Sequence, residues 1–138
     1  MDKIRVLLAD DHAEFRRLVC EFLNKMPNVS VVGEAADGKN AVEQVARLNP
    51  DLVLMDISMP EQNGIEATRI IKQRWPHTLV VIATTHDNQI YRLQAEEAKA
   101  DGYVMKSDLK PVLESIFGLV PDGFHKAFSS VNLQVVKR

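Results

Sequence analysis

Five side chains that could do chemistry together each stand just after a short apolar run of the sequence. The run VLLA ends in two adjacent carboxylates, and the run LVLM ends in a third. The run VVIA leads to a hydroxyl, and GYVM leads to an amine. Because the carboxyl ends of parallel strands meet at one edge of a sheet, we expect these groups to converge there. The five residues are Asp10, Asp11, Asp56, Thr84 and Lys106.

The types of these side chains indicate phosphoryl chemistry with a metal ion. Three clustered carboxylates suit a hard divalent cation, and Mg²⁺ is the usual one where phosphate is handled. The three acids carry −3, and Mg²⁺ with Lys106 returns +3. Phosphorylation of Asp56 would remove its own charge and add about −2, which leaves the site near −1. The pattern therefore predicts that Asp56 is a nucleophile that forms an acyl phosphate.

The elements that must position these residues follow from the apolar pattern. Near-continuous runs of Val, Ile and Leu favour strands that are covered on both faces. The segments between them repeat apolar residues at helical spacing. A last helix is expected from about Asp108, with Pro111 in its first turn. This alternation predicts a parallel sheet with helices on both faces. The predicted strands are 4–9, 29–32, 51–55, 79–83 and 102–105, and the predicted earlier helices are 12–25, 38–48, 64–74 and 87–98.

The composition is that of an ordinary globular domain. The 138 residues are 46% hydrophobic and 26% charged, which favours one domain with a sizeable core. A net charge of −2 gives no electrostatic case for nucleic acid, so we expect no DNA binding by this chain alone. The lone Cys20 fits a reducing, cytoplasmic location. No run approaches membrane-spanning length, so no membrane association is expected.

The motifs ADDH, GEAADGKNAVE, PDLVLMDISMPEQNG, VVIATTHD and ADGYVMK together resemble the receiver domain of bacterial two-component response regulators. The resemblance covers roughly residues 3–117. It implies an α/β flavodoxin-like fold, a doubly wound five-stranded parallel sheet of order 2-1-3-4-5 with five helices. It also implies phosphoryl transfer from a sensor histidine kinase or phosphotransfer protein to Asp56 with Mg²⁺. The chain is most similar to receivers that precede helix-turn-helix transcription factors.

The resemblance further implies roles for individual side chains. Thr84 and Lys106 would contact the phosphoryl group, and Tyr103 would be the aromatic switch residue. The signal would leave through the face formed by the fourth helix, fifth strand and fifth helix. The implied magnesium ligands are Asp11, Asp56 and the Ser58 backbone carbonyl, with Asp10 acting through water.

Some positions depart from the usual receiver pattern or could tune the chemistry. Thr85 replaces a smaller residue and could narrow access to the phosphoryl group. Lys99 replaces glycine at a helix end, so this cap is expected to be built differently. Ser107 replaces proline, and we expect a trans peptide before it. The candidate tuning residues are Ser58, Thr85 and His86, whereas Cys20, His12, His77 and His125 are assigned no chemical role.

Three alternatives compete with a phosphoryl-accepting switch. GEAADGKN at 33–40 fits a phosphate-binding loop except at Asn40, but Glu34 and Asp37 would place carboxylates where phosphates must sit. A phosphatase of the haloacid-dehalogenase type would need an acid where Ser58 stands, so we expect an aspartyl phosphate that is lost slowly and no other enzymatic activity. The third alternative is an interaction-only receiver that is not phosphorylated.

The domain organisation predicted from the sequence is a receiver domain over residues 1–120 and a tail over 121–138. Gly118, Pro121 and Gly123 interrupt the last helix, and the tail could be an added strand, a linker or a disordered end. The sequence leaves open the cognate kinase, the output partner and homodimer formation.

Overall fold

The computed structural model describes residues 3–59, 63–85 and 88–117. Within them, five parallel strands form one sheet in the order β2-β1-β3-β4-β5. The strands are β1 (Ile4–Ala9), β2 (Val29–Ala35), β3 (Leu52–Met55), β4 (Leu79–Thr84) and β5 (Gly102–Met105). The helices are α1 (Ala13–Asn24), α2 (Gly38–Leu48), α3 (Gly64–Arg74), α4 (Gln89–Glu97) and α5 (Leu109–Phe117), the last preceded by a 3-10 turn at Lys106–Asp108.

The sheet is covered on both faces, as its near-continuous apolar strands predict. Successive strand side chains point to opposite faces, so each strand supplies two cores. Val53 and Ile82 pack in one core with residues of α2, α3 and α4. Leu54 and Val81 pack in the other with residues of α1 and α5. The predicted α/β flavodoxin-like fold and its strand order are confirmed.

The order of the strands places a switch point beside β1. This strand pairs with β2 on one side and with β3 on the other, and both pairings are parallel. The connection after β1 leads to β2 on one side of it, and the connection after β2 crosses to β3 on the other side. This reversal opens a crevice at the carboxyl ends of β1 and β3. The residues that follow β1 and β3 lie at this crevice.

Strand β2 runs three residues beyond its predicted end at residue 32. Its register against β1 shifts between Val6 and Leu7, after which Gly33 to Ala35 continue the pairing. Gly33 lies within this extension, where its lack of a side chain allows close packing. A Cβ there would stand 2.4 Å from the Gln44 Oε1 atom. A glycine within a strand often marks such a close approach.

Asx caps set the beginnings of three helices. Asp37 accepts from the Asn40 backbone N–H at 2.7 Å, Asn63 accepts from Glu66 at 2.9 Å, and Asn88 accepts from Ile90 at 2.8 Å. The cap at Asn88 explains why α4 begins at Gln89 rather than at the predicted residue 87. At the start of α2, the Asp37 carboxylate takes the position that an anion would need in the phosphate-loop alternative.

The end of α4 keeps the left-handed backbone that usually favours glycine. Lys99 has a φ of 71°, and the Ala100 N–H donates to the Ala95 carbonyl at 3.0 Å. The expectation that Lys99 would change the construction of this cap is therefore wrong. The Lys106–Ser107 peptide is trans, as expected, since no described peptide bond is cis.

The predictions on membrane association and on the tail meet the limits of the described residues. Among the described helices, none is both long and apolar enough to cross a membrane. The predicted domain boundary at residue 120 and the tail over 121–138 lie outside the described residues.

Candidate functional site

Backbone pairing carries two aspartates to the carboxyl edge of the sheet. The Asp10 N–H donates to the Ala35 carbonyl at 2.9 Å, and the Asp56 N–H donates to the Ala9 carbonyl at 2.8 Å. These bonds extend the ladders of β1 and β3 by one residue, so both carboxylates start from rigid backbone. Both side chains are buried, and that of Asp56 is only 5% exposed.

Lys106 enters the same site from the end of β5. Its Nζ atom lies 2.7 Å from Asp10 Oδ2 and 3.7 Å from Asp56 Oδ1. The side chain is 7% exposed, and its Nζ atom stands 4.4 Å from the centroid of the Phe15 ring. The ammonium is thus held between the two buried carboxylates and offsets part of their repulsion.

The turn after β1 adds Asp11 and His12. The His12 Nδ1 atom lies 3.1 Å from Asp10 Oδ1, 3.2 Å from Asp11 Oδ1 and 3.8 Å from Asp56 Oδ2. The ligand atoms of these four residues all lie within 4.8 Å of one another, which is close enough for one cation. Sequence reasoning gave His12 no chemical role, although its place directly after two strand-end carboxylates was a signal that could have included it.

Burial makes the Asp56 carboxyl group an unusually weak acid. Desolvation is the main cause that raises the pKa of Asp56 from 3.8 to about 6, and the neighbouring Asp10 carboxylate raises it further. The Lys106 ammonium acts in the opposite direction but does not cancel the two effects. The Oδ2 atom of Asp56 is buried and has no hydrogen-bond partner among the described residues. A buried anionic oxygen without a partner is costly, so this atom invites a cation or a covalent bond.

Gly64 brings the beginning of α3 against the backbone of Asp56. The Gly64 N–H donates to the Ile57 carbonyl at 2.8 Å. A Cβ at Gly64 would stand 1.8 Å from the Asp56 carbonyl oxygen, so no other residue fits without a backbone shift. Sequence reasoning did not identify Gly64 as a site residue, because its role is a backbone contact rather than a chemical group.

Arg16 fastens the acidic turn to the neighbouring strands. Its guanidinium donates to the Asp10 backbone carbonyl and forms an ion pair with Glu34 Oε1 at 2.8 Å. The arginine on α1 thereby links the end of β1 to β2. Nothing in the sequence motif used above singled out Arg16, since its partner on β2 is distant in the chain.

The other predicted site residues that the structure describes lie on β4 and β5 or in the loops after β3 and β4. Thr84 is buried at the end of β4 and is paired in the sheet with Met105, the residue before Lys106. Tyr103 is fully buried, and the Arg92 guanidinium carbon stands 4.9 Å from its ring centroid. The loops after β3 and β4 carry the exposed Ser58 and Thr85, whereas His86 lies outside the described residues.

The fold and the site define a class before any relative is considered. A doubly wound sheet with two acids after β1, one after β3 and a lysine after β5 is the arrangement that the sequence resemblance implied. The response regulator receiver domain model matches residues 6–116. The chain belongs to this family, and it is a receiver domain of two-component response regulators.

Curated relatives carry this domain in longer proteins with different outputs. The transcriptional regulatory protein DegU of Brevibacillus brevis is 40% identical over 116 residues, which are 83% of this chain and 49% of that protein. A protein-glutamate methylesterase/protein-glutamine glutaminase of Alkalilimnicola ehrlichii is 39% identical over 117 residues, 83% of this chain and 30% of that protein. The chain thus spans half or less of the length of these relatives.

Solved structures support the same fold. A LuxR-family two-component response regulator from an Aurantimonas species superposes with a TM-score of 0.76 at 32% identity, over 94% of this chain and 97% of that chain. The response regulator domain of Thermotoga maritima CheB gives a TM-score of 0.71 at 28% identity, over 98% and 95% of the two chains. Receiver domains bind Mg²⁺ at an acidic pocket, and this chain has an acidic cluster at the corresponding edge.

Proposed function

We propose that this chain is a phosphorylation-dependent switch that accepts a phosphoryl group on Asp56. The observation that carries the proposal is the buried Asp56 Oδ2 atom, which lacks a hydrogen-bond partner and faces an acidic cluster. A carboxylate that is desolvated and unpartnered is poorly stabilised as a free anion. Its conversion to an acyl phosphate removes the charge from the buried carboxylate and places it on the phosphoryl oxygens, where other groups can balance it.

The donor set fits Mg²⁺. Carboxylate and carbonyl oxygens are its preferred ligands, and the unpartnered Oδ2 atom leaves one ligand position ready. When bound, the ion would neutralise charge on the transferring phosphoryl group. The residues that would hold it are Asp11, Asp56 and the Ser58 backbone carbonyl, with Asp10 through water.

The side chains of Asp56, Lys106 and Thr84 would carry out and assist the phosphoryl transfer. An Asp56 oxygen would attack the phosphorus of a phosphohistidine on a sensor kinase or phosphotransfer protein. The O–P bond forms as the N–P bond breaks, and the leaving imidazole takes its proton from solvent. Lys106, 3.7 Å from Asp56 Oδ1, would balance charge on the phosphoryl oxygens, and Thr84 would donate its hydroxyl to one of them.

The output would leave through the face formed by α4, β5 and α5. Ile90 and Leu93 on α4 are 64% and 55% exposed, which is unusual for large apolar side chains. Tyr103 of β5 lies inside, against Arg92 of α4, so a change at Thr84 has a packed route to this face. The Tyr103 ring is already fully buried, so its role in the switch would be a repacking against these neighbours and not a swing inward from the surface.

Several narrower expectations remain predictions. We expect that this chain alone does not bind DNA, because its net charge is −2. We expect a cytoplasmic location, because a single cysteine, Cys20, fits a reducing compartment. We expect no enzymatic activity beyond the chain's own phosphorylation and dephosphorylation, because Ser58 replaces the acid that a dehalogenase-type phosphatase needs. No observation favours that phosphatase or an interaction-only receiver.

Intact-mass measurement tests the proposal. Incubation with acetyl phosphate and Mg²⁺ should add one phosphate to the chain, and Asp56→Asn should remove the addition. The exposed Asp108 offers a matched control, because Asp108→Asn keeps the site intact and should label like the parent chain. Equal labelling of the Asp56→Asn variant would refute the assignment.

A further inference from the structure

We propose that His12 is a nitrogen ligand of the metal site when a divalent transition-metal ion such as Co²⁺ or Zn²⁺ occupies it, and that the imidazole strengthens the binding of these ions but not that of Mg²⁺. The proposal rests on the proposed function in one respect, namely that the acidic cluster holds a cation. It adds a ligand that the oxygen set described above does not contain.

The distances around His12 match those between ligands of one ion. Its Nδ1 atom lies 3.1 Å from Asp10 Oδ1, 3.2 Å from Asp11 Oδ1 and 3.8 Å from Asp56 Oδ2. With octahedral bonds of about 2.1 Å, adjacent ligand atoms stand about 3.0 Å apart and opposite ones about 4.2 Å apart. All three observed separations fall within this interval, so one cation could contact the imidazole and the carboxylates with small side-chain movements.

A hydrogen bond explains this arrangement less well than a cation does. One ring nitrogen carries at most one proton, so Nδ1 cannot donate to three carboxylates at once. The Asp56 Oδ2 atom indeed stays without a hydrogen-bond partner, although it is buried and lies 3.8 Å from Nδ1. A cation between these atoms would satisfy this oxygen and the Asp11 carboxylate directly, and the Asp10 carboxylate through water.

The chemistry of imidazole sets the class of ion. Nitrogen ligands strengthen binding of Co²⁺, Ni²⁺ and Zn²⁺, whereas Mg²⁺ prefers oxygen ligands and keeps several waters. The His12 side chain is 61% exposed, so the ring can turn away when Mg²⁺ enters. Loss of His12 should therefore weaken transition-metal binding and leave Mg²⁺ binding nearly unchanged.

Calorimetric titration of the full chain with Co²⁺ and with Mg²⁺ tests this selectivity. At about pH 8, where free imidazole is neutral, His12→Asn should lower Co²⁺ affinity about tenfold or more, as expected for the loss of a ligand. The same variant should change Mg²⁺ affinity by less than about twofold, since Mg²⁺ does not depend on the nitrogen. The exposed His77, in the turn before β4, gives the matched control His77→Asn, which should change neither affinity.

A second variant and a spectrum separate this proposal from the proposed function. Asp11→Asn should weaken the binding of both Co²⁺ and Mg²⁺. Unchanged affinities in this variant would contradict the metal site itself. In long-range ¹H–¹⁵N spectra, the addition of Zn²⁺ should shift the Nδ1 resonance of His12. Equal Co²⁺ affinities in the parent chain and His12→Asn, or an unshifted His12 nitrogen, would overturn the role of His12 while the Mg²⁺ site stands.

Discussion

At the scale of single residues, the site is a compromise between burial and charge. Asp56 is buried beside Asp10, and desolvation and repulsion raise its pKa to about 6. Lys106 lies near both carboxylates and lowers the cost of keeping them ionised. The folded chain thus holds a carboxylate that is less stable as an anion than it would be in water, which favours anything that neutralises it.

The raised pKa of Asp56 predicts how the free energy of unfolding depends on pH in the absence of metal. The folded state binds the Asp56 proton up to about pH 6, whereas the unfolded chain releases it near 3.8. The free energy of unfolding should therefore fall as pH rises through this interval, by at most about 3 kcal/mol from this group. Asp56→Asn should remove that loss and be more stable than the parent chain at neutral pH.

Urea unfolding in EDTA, measured at several pH values from about 4 to about 7, checks this prediction. The quantity to compare is the difference between Asp56→Asn and the parent chain, because other acids titrate equally in both. Asp108→Asn, at an exposed aspartate, should show no such difference. A difference between the Asp56→Asn and parent curves that does not change with pH would show that burial does not perturb Asp56.

At the scale of elements, α1 does more than cover the sheet. Arg16 bonds to the Asp10 carbonyl and pairs with Glu34, so it fixes the turn that carries Asp10, Asp11 and His12. Hydrogen bonds from a charged donor contribute roughly 1.5–3 kcal/mol each. Without the guanidinium, this turn should sample more conformations and present its carboxylates to a cation less often.

Arg16→Gln is therefore expected to lower Mg²⁺ affinity about tenfold, a size typical for the loss of a group that orients metal ligands. The neighbouring Arg17 provides the control, because it is exposed and its ion pair among the described residues is with Glu21 of the same helix, at 3.0 Å. Arg17→Gln should leave Mg²⁺ affinity unchanged. Calorimetric titration of both variants decides, and equal affinities in the two would contradict the role given to Arg16.

The cap at the end of α4 predicts a stabilising substitution. Lys99 has a φ of 71°, where a side chain costs roughly 1–2 kcal/mol. Lys99→Gly should raise the free energy of unfolding by about 1 kcal/mol, because glycine adopts this conformation freely but loses more entropy on folding. Lys25, at the end of α1 with a φ of −81°, gives the reverse control. Lys25→Gly should destabilise the chain, and a stabilising effect there would contradict the explanation.

The sequence predicted most elements because apolar runs and helical spacing are local signals. The bounds of α2, α3 and β5 agree with those predicted, whereas β2 was predicted too short because glycine is uncommon in strands and the packing that favours Gly33 there is not visible in the sequence. The site was predictable as far as chemistry-bearing residues follow strands. Arg16 and Gly64 were missed because each acts on the backbone of a residue that only the fold brings close.

At the scale of the whole molecule, the site and the proposed output face are joined through β4 and β5. Thr84 pairs with Met105, and Ile82 pairs with Tyr103, so the hydroxyl and the buried ring are diagonal neighbours on the same face of the two strands. Arg92 then contacts the ring from α4. A movement of the Thr84 hydroxyl toward a phosphoryl group would be felt first by these packed neighbours.

Backbone NMR with beryllofluoride and Mg²⁺, compared with Mg²⁺ alone, tests this connection. The largest remote shift changes should fall in β4 and α4 and in β5 and α5. Thr84→Ala should reduce them markedly, because the hydroxyl no longer reaches the bound anion. Thr78 is a buried threonine just before β4, at the opposite edge of the sheet, and Thr78→Ala should keep them. Changes confined to the metal ligands would refute the proposed route.

The central claim is that Asp56 itself becomes the acyl phosphate, and its chemistry allows a direct measurement. Borohydride reduces an acyl phosphate to an alcohol, so a phosphorylated aspartate is converted to homoserine at its own position. After acetyl phosphate and Mg²⁺, peptide mass spectrometry should find this conversion at residue 56, and it should disappear in EDTA. Conversion at Asp10 or Asp11 instead, or none in a chain that binds Mg²⁺, would contradict the account.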